Sequence, residues 1–504
     1  MNALPSPPES WTLRVEKIGG DDAFTMGQTL TMLEKRANDR EAWVYVFSAF
    51  KDSTSETSKQ WNTTDYLIDI ARWVVRWDSQ IEIKIDELFW NYRATVEHEL
   101  DEKSNKWEVL THLEGVFTEL RNAIRYAISE GQKPSEKNDY SITYNSRTFS
   151  LMGWGEMLVS KLYSLALGKP EAWIDAYAEV PGTSSDKLRK QIAERVMSIT
   201  QTEKTVFVPG YSGNLEWGIY EKVGRGYSDW TAWNLYAWIR RYHRDRDVAF
   251  MIRKLYGLSS SDPRIVENVQ LLTHMSYELL LQMIDPDGAD AWFVNRASAM
   301  PEIFRNGGQM KVYTDWWHET RITMNGPDNP PEGIQFVQNR RVRKIRIHSY
   351  NMNKNGYFAF VAGFLSQRWY SIIDDSSDAT SINLMLGIKK KKNDQTQEQY
   401  RWAEDREYTD LCRELRSSLK QWEKDEDSEV SVDHESKSLI FTGGENIDRP
   451  GILAEITRIL ALAQINLWPV VQTDKPKVIV FWVEESRGAE AVKILHKELI
   501  ENGK

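Results

Sequence analysis

The sequence predicts an α/β protein with a large first domain and two small modules that share one order of elements. The chain opens with a strand pattern over residues 11–18, which breaks at Gly19-Gly20 and passes into a helix pattern over 23–37. Residues 326–333 contain three prolines and form the clearest linker. Beyond that linker, a strand, a helix and two strands occur in this order twice. A strand that turns into a helix is typical of a parallel sheet covered by helices.

The first domain is predicted to continue as a mixture of strands and helices. Apolar strand patterns occur at 43–47, 204–209 and 312–316. Helical periodicity, or charged sequence without strong helix breakers, covers residues 64–77, 82–130, 152–167, 230–243 and 276–284. Together these patterns predict a sheet with a substantial helical layer.

Each small module is predicted to begin with a strand that leads into a helix. The first has a strand at 344–350, a helix at 356–367 and strands at 370–374 and 381–386, and a charged helix at 400–422 follows it. The second has a strand at 438–442, a helix at 450–463, strands at 465–471 and 477–484, and a closing helix at 489–501. We therefore predict a first domain over 1–330, a first module over 336–395, a connecting helix and loop over 396–432, and a second module over 433–504.

The composition argues against several classes of protein. The net charge is −10 and the basic residues form no broad stripe, so nucleic acid is not an expected partner. No stretch approaches the ~20 apolar residues that a membrane-spanning helix needs, so no membrane association is expected. Cys412 is the single cysteine, and the first residues lack the pattern of a signal peptide, so we expect a cytoplasmic protein without disulfides.

Residues 446–467, NIDRPGILAEITRILALAQINL, resemble an ACT domain, a regulatory module that binds small molecules. In this stretch a turn with Pro450 and Gly451 leads into a helix, and a strand follows. The first module contains IRIHSYNMNKNGYFAFVAGFLSQ, which is similar to the first of the paired ACT domains of aspartokinases. The two modules therefore direct attention to that family.

Five motifs of the first domain are similar, in the same order, to motifs of the aspartokinases. They are Lys17-Ile18-Gly19-Gly20, VFSAFKDST with Ser48 and Thr54, Gly155-Glu156, Gly224-Arg225-Gly226 followed by Ser228-Asp229, and SSSDPRIVENVQLL with Ser259 and Arg264. The resemblance covers nearly the whole chain. It implies an amino-acid-kinase domain of three αβα layers, followed by two βαββ-type ACT regulatory domains.

The resemblance implies a kinase that transfers phosphate from ATP, with Mg²⁺, to the β-carboxylate of L-aspartate. Such a transfer needs charge neutralisation around the moving phosphoryl group and firm placement of the acceptor. The resemblance assigns catalysis to Lys17 and Asp229, binding of the amino acid to Ser48, Thr54, Glu156, Arg225 and Ser228, and binding of the nucleotide to Gly19, Gly20, Lys254, Ser259 and Arg264. No protein side chain is assigned to a metal ion.

The residue types on the acceptor side suit these roles. The guanidinium of Arg225 can bind a carboxylate through two hydrogen bonds, and Glu156 can bind an ammonium group. Structural interpretations stay open beside the functional ones. Glu156 could be a first-turn charge that complements a helix dipole, Ser48 a hydroxyl at a strand end, and Asp229 a helix N-cap.

The glycines and the lysine on the nucleotide side suit a phosphate. Gly19-Gly20, between a strand and a helix, would direct backbone N–H groups at a phosphate with help from the helix dipole. Lys17, just before them, adds a point charge. Alone, this short motif also fits an ordinary turn from a strand to a helix.

Other positions on the nucleotide side depart from the family pattern. After the paired glycines the family has Thr-Ser, whereas this chain has Asp21-Asp22, which could hold Mg²⁺. Lys254 replaces an aspartate, Ser259 a tyrosine and Asp290 a lysine. Two alternatives to the aspartate kinase therefore stay open: a catalytically impaired pseudokinase that senses an amino acid or acts as a partner subunit, and a paralogue that phosphorylates a different amino acid.

The regulatory half departs as well. In lysine-inhibited relatives an acidic cluster follows the first ACT helix, and the corresponding positions here are Ile373 and Ala379, with Asp374, Asp375 and Asp378 close by. We therefore expect a different amino-acid effector at the ACT domains, or none. Because ACT modules commonly pair between chains, the expected assembly is a homodimer.

Overall fold

The structure is a computed structural model that describes the chain in segments. The described residues are 12–37, 41–52, 61–76, 78–134, 140–145, 147–174, 185–211, 227–242, 248–253, 258–283, 309–313, 319–349, 356–368, 370, 372–377, 381–386, 405–423, 430–447, 450–471 and 477–503.

The strands of the described residues are numbered in chain order. They are β1 (Leu13–Ile18), β2 (Ala42–Phe47), β3 (Lys51–Asp52), β4 (Trp61–Asn62), β5 (Ser141–Tyr144), β6 (Arg147–Ser150), β7 (Thr205–Pro209), β8 (Val248–Arg253), β9 (His274–Ser276), β10 (Met310–Tyr313), β11 (Glu319–Thr323), β12 (Phe336–His348), β13 (Ile372–Ser377), β14 (Ser381–Leu386), β15 (Ser431–Gly443), β16 (Trp468–Val471) and β17 (Val478–Glu484).

The α-helices are numbered in the same way. They are α1 (Gly20–Phe24), α2 (Met26–Ala37), α3 (Thr63–Arg76), α4 (Ile81–Glu99), α5 (Lys106–Ser129), α6 (Leu151–Ala166), α7 (Ser185–Ile199), α8 (Tyr227–Tyr242), α9 (Tyr277–Met283), α10 (Tyr357–Gln367), α11 (Asp405–Glu423), α12 (Ile452–Leu462) and α13 (Gly488–His496).

The chain forms two compact units. Unit 1 comprises residues 1–257 and 292–324, and unit 2 comprises 258–291 and 325–504. The segment 258–291 therefore belongs with unit 2, although the sequence analysis places it in a first domain over 1–330. Its contacts explain the difference, because the backbone N–H of Val337 donates to the carbonyl of Ser260 over 2.8 Å.

A parallel sheet forms the centre of unit 1. Its strands run in the order β7-β2-β1-β8-β10-β11, and every neighbouring pair is parallel except β10 and β11. The sequence analysis did not identify β8, which pairs with β1 on one side and β10 on the other. A central strand of a parallel sheet reads as a short apolar run, and VAFMIR has no alternation that distinguishes it from a helix segment.

Helices cover both faces of this sheet. Tyr163 of α6 stacks on Phe47 of β2, with ring centroids 4.5 Å apart, and Trp233 of α8 lies 4.2 Å from Phe250 of β8. Phe250 shares its register position with Val44 of β2, three residues from Phe47. Because side chains alternate between faces along a strand, an odd separation places α6 and α8 on opposite faces.

A buried ion pair ties α2 to the central strand. The guanidinium of Arg36 donates to the carboxylate of Glu16 in β1, and both side chains are almost fully buried. Arg36 also lies over the ring of Trp43, 4.1 Å from its centroid. Glu16 therefore points to the face that α2 covers, and its neighbour Lys17 points to the face that α8 covers.

A second, antiparallel sheet forms the centre of unit 2, in the strand order β13-β14-β12-β15-β17-β16. Each half of the sheet has its own buried apolar cluster. One packs α10 and α11 against β12, β14 and the start of β15, and the other packs α12 and α13 against β15 and β17. The long strands β12 and β15 pair over 13 residues and join the two halves.

The predicted fold class is confirmed: a three-layer αβα domain and two βαββ-type ACT modules. Element boundaries also differ from the sequence analysis. The helix predicted over 23–37 is two helices, α1 and α2, and β12 and β15 are longer than the predicted strands at 344–350 and 438–442. Their length comes from pairing with each other, a non-local effect that periodicity does not report. None of the helices in the described part of the chain has the length and apolar content needed to span a bilayer.

We expect Arg36→Met to destabilise the protein by about 3–5 kcal/mol, because it removes the guanidinium from a buried carboxylate. The matched control is Arg14→Met in β1, the strand of Glu16; Arg14 pairs with Glu41, and its side chain is 20% exposed. That change should cost about 1 kcal/mol or less. Urea unfolding at pH 7 and 25 °C measures both values, and equal losses would contradict the prediction.

We expect Cys412 to resist thiol reagents in the folded protein. Burial raises the pKa of this thiol to about 12, so at pH 8 almost none of it is the reactive thiolate. Because the chain has one cysteine, Ellman's reagent should titrate one thiol rapidly in urea and very slowly in buffer. Rapid reaction of the native protein would show that α11 exposes the thiol.

Candidate active site

The candidate site lies at the carboxyl ends of the parallel strands of unit 1, the usual position of a binding site in an open α/β sheet. Lys17 is the last residue but one of β1, and Gly19 and Gly20 follow that strand. Ser48 directly follows β2, and Gly210 directly follows β7. The backbone N–H of Gly210 donates to the carbonyl of Phe47 over 2.8 Å, which holds two of these strand ends together.

Lys17 and Asp229 form a buried ion pair at this edge. The Lys17 ammonium lies 3.0 Å from Oδ1 of Asp229, and each side chain is 5% exposed. Asp229 is in the first turn of α8, where a carboxylate complements the helix dipole. The alternation of β1 places Lys17 on the face of α8, so the strand and the helix together set this contact.

A pair of hydroxyl groups lies next to the same turn of α8. Oγ of Ser48 and Oγ of Ser228 are 2.7 Å apart, and the backbone N–H of Ser48 donates to the carbonyl of Ile18. The structure therefore brings the predicted residues Ser48 and Ser228 together, beside the neighbouring Asp229. Gly210 makes this approach possible, because it has no side chain where Ser228 packs.

Glu156 is buried in α6, with 2% of its surface exposed. The helix begins at Leu151, and the hydroxyl of Ser150 caps it by accepting from the N–H of Gly153 over 3.2 Å. Glu156 is therefore in the second turn, and the interpretation of it as a first-turn charge is wrong. Burial of a carboxylate at such a position is costly unless a partner or a ligand compensates it.

Gly155 lets the helix of Glu156 approach the end of β2. A Cβ atom at this position would lie 2.6 Å from Cγ2 of Thr63 and 2.9 Å from Cβ of Ala49. The Gly-Glu motif thus combines a residue that permits close packing with the carboxylate that this packing buries.

The sequence analysis missed two buried residues near Glu156, Thr63 in α3 and Tyr92 in α4. The hydroxyl oxygens of these residues are 3.0 Å apart. In the sequence, each occupies an apolar-face position of an amphipathic helix, where a threonine or tyrosine reads as ordinary core. No local signal distinguishes them.

The paired glycines pack closely against the end of β2. A Cβ atom on Gly20 would lie 2.7 Å from the carbonyl oxygen of Ala49, so only glycine fits there without a shift. The helix that follows, α1, has only five residues, and α2 begins after Thr25. The dipole that the sequence analysis expected from one long helix is correspondingly reduced, because the break falls within the first turns.

Two predicted nucleotide residues lie in unit 2. The hydroxyl of Ser259 donates to the carbonyl of Ser261 over 2.6 Å. The guanidinium of Arg264 bonds the carboxylate of Asp262, and its side chain is 80% exposed. This contact lowers the pKa of Asp262 against the opposing effect of burial.

Several predicted positions lie outside the described residues. They are Thr54, Gly224, Arg225, Gly226, Lys254, Asp290 and Ala379, together with the side chains of Asp21, Asp22, Ile373, Asp374 and Asp375. The assignments made to them stay predictions.

Comparison with known proteins places this geometry in context. No family model matches the chain. The aspartokinase of Bacillus sp. (strain MGA3) is 24% identical over 365 residues, which cover 69% of this chain and 80% of the relative. The chain is therefore similar to aspartokinases at low sequence identity.

Solved aspartokinase structures share the fold. The aspartate kinase of Clostridium acetobutylicum has a TM-score of 0.65 at 17% identity, with 97% of this chain and 99% of the other covered. E. coli aspartokinase III in its R-state has the same TM-score and identity, with 97% and 100% covered. At this identity the likeness establishes the fold, and the roles of the residues need separate tests.

We expect Gly210→Ala to destabilise the protein by about 1–3 kcal/mol through overpacking. The added Cβ would meet the carbonyl oxygen of Phe47 and lie 2.5 Å from Cβ of Ser228. Gly115→Ala in α5 is the control, because nothing lies within 4 Å of its added Cβ. The control should gain about 0.5–1 kcal/mol of helix stability. Urea unfolding compares the two, and a neutral Gly210→Ala would refute the close approach of α8.

Proposed function

We propose that the chain is an aspartate-kinase-type enzyme, which transfers the γ-phosphoryl group of ATP to the β-carboxylate of L-aspartate. The observation that carries the proposal is the buried ion pair of Lys17 and Asp229 at the carboxyl ends of the parallel strands. A lysine held there by one carboxylate can neutralise charge on a transferring phosphoryl group without reorganisation of solvent. The similarity to aspartokinases gives independent support for a kinase of this type.

On the acceptor side, the buried carboxylate of Glu156 would bind the ammonium group of the amino acid. Its burial means that a bound cation would interact with it strongly. The hydroxyls of Ser48 and Ser228 would hold the acceptor next to Lys17. Arg225, followed closely by Ser228 in the sequence, would bind the α-carboxylate, and Thr54 would add a hydroxyl contact. Catalysis would come from positioning and charge, with no covalent intermediate.

On the nucleotide side, Gly19 and Gly20 would bring backbone N–H groups close to the phosphates. The family resemblance also assigns Lys254, Ser259 and Arg264 to the nucleotide. A structure of E. coli aspartokinase III contains aspartate and ADP, which supports both ligand classes. Mg²⁺, bound with the nucleotide, would supply charge neutralisation. The carboxylates of Asp21 and Asp22 are of the chemical type that Mg²⁺ prefers.

A sensor without kinase activity is the second candidate. It is favoured by the replacements at Lys254, Ser259 and Asp290, which change three nucleotide positions while the acceptor motifs are kept. Loss of one lysine near the phosphates removes a few kcal/mol of transition-state stabilisation. Such a loss slows a kinase but does not by itself abolish its activity. A paralogue that acts on a different amino acid would keep the Lys17–Asp229 pair and change the acceptor contacts.

For the regulatory unit we propose an amino-acid effector at the ACT modules and a homodimer formed through them. E. coli aspartokinase III has been solved with lysine and aspartate in its T-state, which supports an amino acid as the class of effector. The replacements at Ile373 and Ala379 favour an effector other than lysine.

The decisive experiment is to incubate the purified protein with Mg-ATP, L-aspartate and hydroxylamine and to measure aspartyl hydroxamate. We expect Lys17→Ala and Asp229→Asn each to lower the rate by about 100-fold or more, because each removes charge at the transferring group. Lys311→Ala is the matched control. Lys311 pairs with Glu319 at the same distance of 3.0 Å, but these side chains are 23% and 47% exposed.

Each other result selects a different conclusion. Hydroxamate that forms at the wild-type rate in both site variants would refute the catalytic roles. Calorimetric binding of aspartate without binding of ATP, and without product, would select the sensor. Product from another amino acid alone would select the paralogue.

A further inference from the structure

A chain of hydrogen bonds connects the helical layer of unit 1 to the end of β2. The backbone N–H and the hydroxyl of Thr63 both donate to the carbonyl of Phe50, over 3.1 and 3.0 Å. Because that bond uses the hydroxyl hydrogen of Thr63, the hydroxyl of Tyr92, 3.0 Å away, is the donor to Thr63. The direction of the chain is therefore from α4 through α3 to Phe50.

These hydrogen bonds end at the segment that carries Ser48. Phe50 is two residues beyond Ser48, and the intervening Ala49 contacts both Gly155 and Gly20. Thr63 itself contacts Gly155 through its methyl group, one residue before Glu156. The same threonine thus holds the Ser48 segment through its polar atoms and the turn of Glu156 through its methyl group.

The two side chains that form these hydrogen bonds are buried and closely packed. Thr63 and Tyr92 have no exposed surface, and the ring of Tyr92 stacks on Phe50 with centroids 4.9 Å apart. On its other side Tyr92 contacts Phe117 of α5, which packs on Trp154 of α6 over 4.9 Å. A phenylalanine at position 92 would fill the same space, so the shape of the core alone does not explain the hydroxyl.

The electrostatic surroundings of Tyr92 indicate that Glu156 is close. Burial raises the pKa of the phenol, and the negative charge of Glu156 raises it further. The phenol is therefore neutral at every physiological pH and available as a donor. The charge that contributes to this shift in pKa is the carboxylate of Glu156.

We propose that Thr63 and Tyr92 are positioning residues, which fix Ser48 and Glu156 in the geometry that binds the amino acid. The inference rests on the proposed function, because it takes Ser48 and Glu156 to be contacts of the acceptor amino acid. It makes the helices α3 and α4 part of the specificity for an amino acid with a free ammonium group. The proposal does not extend to the nucleotide contacts.

The first test is Tyr92→Phe in the full-length chain. We expect the KM for L-aspartate to rise about five- to tenfold, the effect of one buried hydrogen bond, while kcat and the KM for ATP change by less than about twofold. Tyr236→Phe is the matched control. It removes a buried phenol hydroxyl that accepts a hydrogen bond from Arg240 on the same helix, and all three parameters should stay near the wild-type values.

The second test separates the hydroxyl of Thr63 from its methyl group. Thr63→Val keeps the shape and loses the donor to Phe50, so the KM for aspartate should rise by about tenfold. Thr63→Ser keeps the donor and should restore the KM to within about threefold of wild type. Urea unfolding of all variants checks that a change in KM does not follow from loss of folded protein.

The outcomes distinguish this inference from the proposed function. If the wild type makes hydroxamate but Tyr92→Phe changes no KM, or lowers kcat and raises both KM values together, the positioning role is refuted and the kinase stands. If the wild type makes no hydroxamate, calorimetric binding of L-aspartate replaces the KM. Weaker binding by Tyr92→Phe and Thr63→Val then supports positioning in a sensor. No binding by the wild type, or equal binding by these variants, refutes it.

Discussion

The alternation of one strand is the constraint on which the rest of unit 1 depends. In β1, the adjacent residues Glu16 and Lys17 are both charged and both buried, and they point to opposite faces of the sheet. Each must find its counter-charge on the helix that covers its face, since an unpaired charge there would cost several kcal/mol. Arg36 of α2 and Asp229 of α8 supply these charges. Neither helix can slide or rotate along the sheet without separating a buried pair.

The two ion pairs have different consequences although their chemistry is similar. The Glu16–Arg36 pair lies under α2, where Arg36 is enclosed by Glu16 and the ring of Trp43. The Lys17–Asp229 pair lies at the edge where the parallel strands end, next to the hydroxyls of Ser48 and Ser228. The same strand therefore presents a structural pair on one face and a candidate catalytic pair on the other. The face decides which is which: Glu16 points under α2, whereas Lys17 points toward the first turn of α8, beside the carboxyl ends of the strands where ligands usually bind in an open α/β sheet.

The packing around the candidate site depends on residues without side chains. Gly20, Gly155 and Gly210 each allow a backbone segment to approach another more closely than a Cβ atom would permit. All three contacts involve the short stretch from Phe47 to Lys51, directly or through Thr63. That stretch links the glycine turn after β1, the helix of Glu156 and the first turn of α8. Its conformation is set by these neighbours together, which is why hydroxyl groups as far away as Tyr92 can influence it.

The many aromatic residues serve this packing. Trp233 lies on Phe250 beneath α8, and Tyr92 lies between Phe50 and Phe117. The aromatic side of α8 is thus core, while its first turn carries Ser228 and Asp229. The helix combines both because its N-terminus is at the edge of the sheet and its later turns cross the face.

The sequence by itself determined the fold class, the order of elements and the identity of the charged and glycine residues at the strand ends. Periodicity is local, and a Gly-Gly turn or a Gly-Glu pair is legible without any partner. Only the tertiary structure decided which groups meet. It joined Lys17 to Asp229 across 212 positions of sequence, lengthened β12 and β15 by pairing them, and revealed β8 as a central strand. It also moved Glu156 from the first helical turn to the second, and connected Thr63 and Tyr92 to the site. These facts depend on contacts between distant segments, and such contacts leave no pattern in the residues that make them.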